Sequence, residues 1–132
     1  MAEEIGFRAR LAMPYDEAVA AVRVALKAHG FGVITEIDVR ATVKEKLGKD
    51  FRPYTILGAC NPALAHRALD SDPDVGLLLP CNVTVYEEDG GSVVTAVDPM
   101  VLVGLLRSET LREVAEEARR GLQSAMESLS GE

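Results

Sequence analysis

The stretch from Phe51 to Asn82, FRPYTILGACNPALAHRALDSDPDVGLLLPCN, leaves this chain the fewest choices. From Tyr54 to Cys60 one parity carries Tyr54, Ile56, Gly58 and Cys60, the other Thr55, Leu57 and Ala59; neither is a polar face. A second run places Leu77, Leu79, Cys81, Val83 and Val85 on one side and Leu78, Pro80, Asn82, Thr84 and Tyr86 on the other. Runs with weak alternation and many aliphatic residues suit strands covered on both faces. Pro80 cannot donate to a ladder, so the second strand is expected to bulge there or to turn that position to a sheet edge.

At 132 residues the chain is read as one domain, 1–132, able to bury roughly two-thirds of its unfolded surface. No apolar run reaches the length of a membrane span, and the N-terminus lacks a basic region followed by an apolar one. Membrane insertion and secretion are therefore not indicated, and the cytoplasm is the expected compartment. A net charge of −7 argues against a general nucleic-acid binder, which needs basic surface to neutralise phosphate. Between Arg40 and Arg52 the balance reverses locally: Arg40, Lys44, Lys46, Lys49 and Arg52 outnumber Glu45 and Asp50. That patch suits a small anion, but a solvated helix and turn explains it more plainly.

Ile5, Phe7, Ala9 and Leu11 alternate with polar or small residues, the mark of a half-buried strand. Pro14 and Asp16 open a helix with an apolar stripe through Ala18, Val19, Val22, Ala25 and Leu26, and Gly30 is its left-handed stop. His29, at the negative end of that helix dipole, is read as structural. A strand is expected over Gly32–Arg40, with Val33, Ile37 and Val39 on one side and Glu36, Asp38 and Arg40 on the solvated other. Ala41–Leu47 reads as a short helix closed by Gly48.

Asn61 and Pro62 form a strong helix start, cap followed by first position, for a helix reaching about Leu69 with Leu64, Ala68 and Leu69 inward. Asp89, Gly90 and Gly91 signal a tight turn before a last strand, Ser92–Val97. Asp98 and Pro99 repeat the cap pairing and open a segment apolar nearly all round, from Met100 to Leu106. The final helix starts near Ser108, where Thr110 and Glu113 fit a capping box, and keeps one apolar face from Leu111 to Leu129.

This order predicts an α+β fold: a mainly antiparallel sheet of about five strands, two long helices on one face, and short inserted helices. The opposite face then decides the energetics. Each large apolar side chain left wet forfeits roughly 1.5 to 3 kcal/mol, so four on the central strands would cost on the order of 6 to 12 kcal/mol, comparable to a whole domain's stability. Cover is expected in part from the segments after Pro62 and Pro99, and for the rest from a second copy of the chain.

Cys60, just before a helix N-terminus, is the best candidate for a reactive thiol, although a small apolar residue ending a buried strand is the plainer reading. With Cys60 opposite about Leu77, Cys81 would lie roughly 13 Å away, too far for a disulfide. His66 has no close ligand spacing to either cysteine and, with Asp70 four residues on, reads as part of a solvated helix face. Two Cys and one His fall short of a structural zinc set, so neither metal nor cofactor is expected. No phosphate loop, GxSxG elbow or HExxH motif occurs.

GFGVITEIDV, DFRPYTILGACNPALAHRAL, PDVGLLLPCNVTVYE and VDP, in that order, resemble the bacterial and archaeal family called Domain of Unknown Function 302. The resemblance implies a TATA-binding-protein-like α+β domain, a homodimer, and no established activity. The leading expectation is a non-enzymatic homodimeric module that binds a small ligand beside the central strands, with Arg52, Tyr54, Cys60, Asn61, Cys81 and Asn82 as candidate contacts. The alternative is thiol chemistry, redox or soft-metal handling, by Cys60 and Cys81.

Overall fold

A computed structural model describes residues 5–104 and 108–130. The strands are β1 (Gly6–Leu11), β2 (Gly32–Asp38), β3 (Tyr54–Cys60), β4 (Cys81–Glu88) and β5 (Gly91–Val97). They form one antiparallel sheet in the order β1-β5-β4-β3-β2, so the two central runs of the sequence are neighbours. The helices are α1 (Tyr15–Ala28), α2 (Val39–Leu47), α3 (Pro62–Ser71), α4 (Pro99–Val103) and α5 (Glu109–Ser130), with a 3₁₀ turn over Pro73–Leu78. The α+β class, the five strands and the two long helices are as the sequence predicts.

Local signals set most boundaries. Gly30 and Gly48 take φ of 88° and 67° at the ends of α1 and α2, the left-handed region where a side chain would be strained. Asn61 Oδ1 accepts from Leu64 N at 3.2 Å and Asp98 Oδ1 from Met100 N at 3.0 Å, each followed by proline at the first helical position. Asp89 and Gly90, at φ of 53° and 80°, make the two-residue hairpin joining β4 to β5.

The core lies between one sheet face and the long helices. Ala18, Val22 and Leu26 of α1 and Leu122, Ala125 and Met126 of α5 pack on Leu57 and Ala59 of β3, Val83 and Val85 of β4, and Val94 and Ala96 of β5. Tyr15 Oη and Thr55 Oγ1 share a hydrogen bond that ties the start of α1 to β3. Burial raises the Tyr15 pKa, and the bond to Thr55 works against that rise. At the other end of α5, Leu111, Val114 and Ala115 join Ala68, Val75 and Val103 in a second, smaller apolar cluster.

Several boundaries differ from the sequence reading. Leu77 does not begin a strand: Asp72 Oδ1 accepts from Asp74 N at 2.9 Å, Pro73 follows, and the residues to Leu78 coil into the 3₁₀ turn. Asp72–Pro73 is the same cap-and-proline pairing as Asn61–Pro62, and it wins over the apolar run behind it. Pro80 therefore neither bulges β4 nor sits on its edge; it precedes the strand, through a cis peptide bond with Leu79. Val39 and Arg40 belong to α2 because Asp38 caps that helix, accepting from Ala41 N at 2.9 Å. Ser108 Oγ, rather than Thr110, caps α5 by accepting from Leu111 N at 3.3 Å. Leu69 and Val101 are exposed, so neither α3 nor α4 is apolar-buried as far round as expected. Leu105 and Leu106, read as part of that apolar segment, lie outside the described residues.

Candidate functional site

Strand pleating sorts β3 and β4 into two surfaces. Leu57, Ala59, Cys81, Val83 and Val85 point to the helices and are buried. The opposite face carries Tyr54, Ile56 and Gly58 beside Asn82, Thr84 and Tyr86. The expectation of aliphatic residues on both faces is therefore corrected. Leu77 and Leu79 precede β4, and what remains on the open face is aromatic, hydroxylic or amide apart from Ile56.

Neither inserted helix lies over the middle of that open face: α3 and α4 both pack on α5, and only Leu102 of α4 reaches its end. A broad depression of about 670 Å³ occupies it, floored by Thr84, Tyr86 and Thr95 and closed at one end by Leu77, Leu78 and Leu102. Tyr54 and Tyr86 stack there with centroids 5.2 Å apart and planes 6° from parallel. The Arg52 guanidinium lies 5.4 Å over the Tyr86 ring, and Arg8 Nη1 donates to Tyr86 Oη at 3.0 Å. At the rim Arg10 and Arg52 bond Glu88 at 2.8 and 3.2 Å. Hydrogen bonding from Arg10, then from Arg52, holds the Glu88 carboxyl below its ordinary range.

A second hollow, about 290 Å³, lies at the far end of β3 and β4, beneath α3, α4 and the first half of α5. Hydrocarbon walls it: Phe31, Leu64, Val75, Leu79, Leu111 and Val114 are among the lining residues. Its polar side chains are Cys60, Asn61 and Cys81. The Asn61 oxygen is already committed to the start of α3. Cys81 is 9% exposed, and burial pushes its thiol up to about 11, with a further contribution from Cys60 nearby. Cys81 is thus a neutral thiol at physiological pH.

The register between the cysteines also differs from expectation. Ala59, not a residue near Leu77, faces its β4 partner Cys81, which places Cys60 one residue along from that pair. The two thiols are free, but they are neighbours rather than remote. The error followed from starting the second strand at Leu77.

The six candidate contacts thus divide. Cys60, Asn61 and Cys81 meet at the apolar cavity, Tyr54 and Asn82 belong to the open-face depression, and Arg52 lies at the exposed rim. The basic stretch is a solvated one: Arg40, Lys44, Lys46 and Lys49 are exposed, with Lys44 3.4 Å from Asp50. Glu36 and Asp38 are also exposed, Glu36 paired with Arg23 and Asp38 capping α2. His66 is exposed on α3, on a solvated face, and His29 Nδ1 contacts Ala25 O at 2.9 Å at the end of α1. Among the described residues no group of three or more His, Cys, Asp or Glu is placed to hold a metal, and no helix is long and apolar enough to cross a membrane. The cavity walls on α5 escaped the sequence reading. Leu111, Val114 and Ala115 continue the same apolar stripe as Leu122 and Met126, and only the α3 and α4 packing separates cavity wall from sheet core.

The chain is similar to a solved crystal structure from Bacillus stearothermophilus, described as that of the uncharacterized conserved protein DUF302. The two share 31% identity and superpose with a TM-score of 0.86 over 95% of this chain and 98% of that one. No curated protein matches the chain. The model of the family "Domain of unknown function DUF302" matches residues 7–129, and together with the shared fold this shows that the chain belongs to the DUF302 family.

Proposed function

We propose that the protein is a non-enzymatic binding module that takes a small, largely apolar molecule into the cavity beneath α3, α4 and α5. The observation that carries this reading is the cavity wall, hydrocarbon except for two thiols and one committed amide. A volume of about 290 Å³ falls at the lower edge of the range for small-molecule sites. Such a lining orients a ligand by shape and offers no carboxylate, imidazole or amine to move a proton. The module acts as a homodimer, with the open sheet face as the shared surface. Ile37 beside Ile56, Phe51 against Tyr54, and Leu77 at the end of the depression are 49%, 42% and 88% exposed, and a twofold partner would remove them from water.

Native mass spectrometry of gently purified protein, compared with denatured protein, tests both parts. A mass excess that disappears on denaturation, carried by a species of twice 14.2 kDa, is the expected result. A bare 14.2 kDa monomer at micromolar concentration, with no uptake of the apolar fluorophore anilinonaphthalene sulfonate, overturns it.

A further inference from the structure

Cys60 and Cys81 reach one cavity by different routes. Cys81 opens β4 and points to the helix-covered side, where it is 9% exposed. Cys60 has the parity of the open face, but as the last residue of β3, where the chain turns into α3, it borders the cavity. Antiparallel partners lie roughly 4.5 to 5.5 Å apart and successive residues about 3.3 Å along. With Ala59 opposite Cys81, this puts the Cα atoms of the two cysteines on the order of 6 Å from each other. Neither is in a disulfide, and neither thiol has a hydrogen-bond partner among the described residues.

The surroundings select what such a pair would hold. Magnesium and calcium take six or more oxygens, and structural zinc takes four ligands; this cavity offers two sulfurs, one amide whose oxygen already caps α3, and hydrocarbon. Thiolates with no carboxylate or imidazole competitor among the lining residues favour soft ions, above all monovalent copper. We propose that Cys60 and Cys81 together bind one soft monovalent metal ion of the Cu(I) class at the wall of the cavity. Two S–H bonds break and two S–metal bonds form, two protons leave to solvent, and no oxidation state changes. The site then carries one net negative charge beside the N-terminus of the ten-residue α3, whose dipole favours it. The apolar walls keep water and hard ligands from competing. The inference uses the cavity of the proposed ligand site but requires no organic ligand in it.

The test is an anaerobic titration of the reduced protein with Cu(I), supplied as its acetonitrile complex, in competition with bicinchoninate. Native mass spectrometry reads the stoichiometry. One copper per chain, withdrawn from the chelator by the wild type and lost in both Cys60→Ala and Cys81→Ala, is expected; Zn(II) should not be retained. Circular dichroism checks the fold of each variant, and Cys60→Ala, at the less buried position, keeps the test decisive should Cys81→Ala fail to fold. Stoichiometric copper in the Cys60→Ala variant, a copper bridging two chains, or a wild type that cannot compete with the chelator overturns the inference. Anilinonaphthalene sulfonate uptake by the wild type is read separately, so copper capture without it would break the ligand reading alone, and uptake without copper capture would break this one alone.

Discussion

The cavity under the helices and the depression on the open sheet face both border β3 and β4 and share Leu78, Leu79, Pro80 and Leu102, yet their polar groups differ in kind. One is walled by hydrocarbon with two thiols and a committed amide; the other sets stacked tyrosines, threonines and a guanidinium among aliphatic side chains such as Ile5, Leu77 and Val97. The period-two pleat divides them, since adjacent residues such as Ile56 and Leu57 point in opposite directions. An apolar-looking run thus carries two kinds of surface. The face under α1 and α5 holds the buried core, and the open face is where a substitution should cost the fold least.

The sharpest way to break that division is to truncate neighbours on one strand. Leu57→Ala removes a side chain with no exposure and should cost about 2 to 5 kcal/mol in urea unfolding, whereas Ile56→Ala on the open face should cost under about 2 kcal/mol. Equal losses would mean that the open face is covered as tightly as the helix side.

Alkaline unfolding ranks next. Burial raises the Cys81 pKa from 9.0 to about 11 in the folded state, so its contribution is fully present below pH 9 and is lost as pH rises through 11. At about 1.4 kcal/mol per pH unit, wild type should lose roughly 2 to 3 kcal/mol more than Cys81→Ala between pH 8 and 11.5. A parallel pH dependence of the two proteins would show that Cys81 is wetter than its position implies.

Filling the cavity gives a smaller effect of opposite sign. Ala115, 7% exposed, lines the hollow, and Ala115→Leu should raise stability by about 0.5 to 2 kcal/mol while abolishing anilinonaphthalene sulfonate uptake. A loss of stability instead would mean the space is already occupied by the protein's own side chains. On the platform, Tyr86→Ala forfeits the stack with Tyr54 and should cost about 0.5 to 1.5 kcal/mol. Smallest of all, Phe51→Asp at the rim should move stability by under about 0.5 kcal/mol yet shift light scattering toward the monomer. An unchanged scattering mass would move the proposed twofold contact elsewhere.

The legible parts of this protein are those with local chemistry. Asn61–Pro62 and Asp98–Pro99 announced α3 and α4, Gly30 and Gly48 ended α1 and α2, and the Asp89–Gly90 hairpin was in the letters. The same code stands at Asp72–Pro73, where Pro73 reads as the close of α3 rather than the start of a new turn, because the apolar run Val75 to Leu79 looks equally like a strand or a coil by periodicity alone. That one boundary moved the register, and with it the position of Cys81 relative to Cys60.

The sequence by itself determined the α+β class, the five strands and the two covering helices, because caps, turns and hydrophobic period act over a few residues. Which residues wall the cavity and which floor the platform was decided only by tertiary structure. The α5 stripe is continuous from Leu111 to Met126, and nothing along it distinguishes the part that meets the sheet from the part that meets α3 and α4. That distinction depends on where other segments dock, on contacts far apart in the chain. Likewise two cysteines separated by a helix and a 3₁₀ turn become neighbours only once strand register is fixed across the sheet.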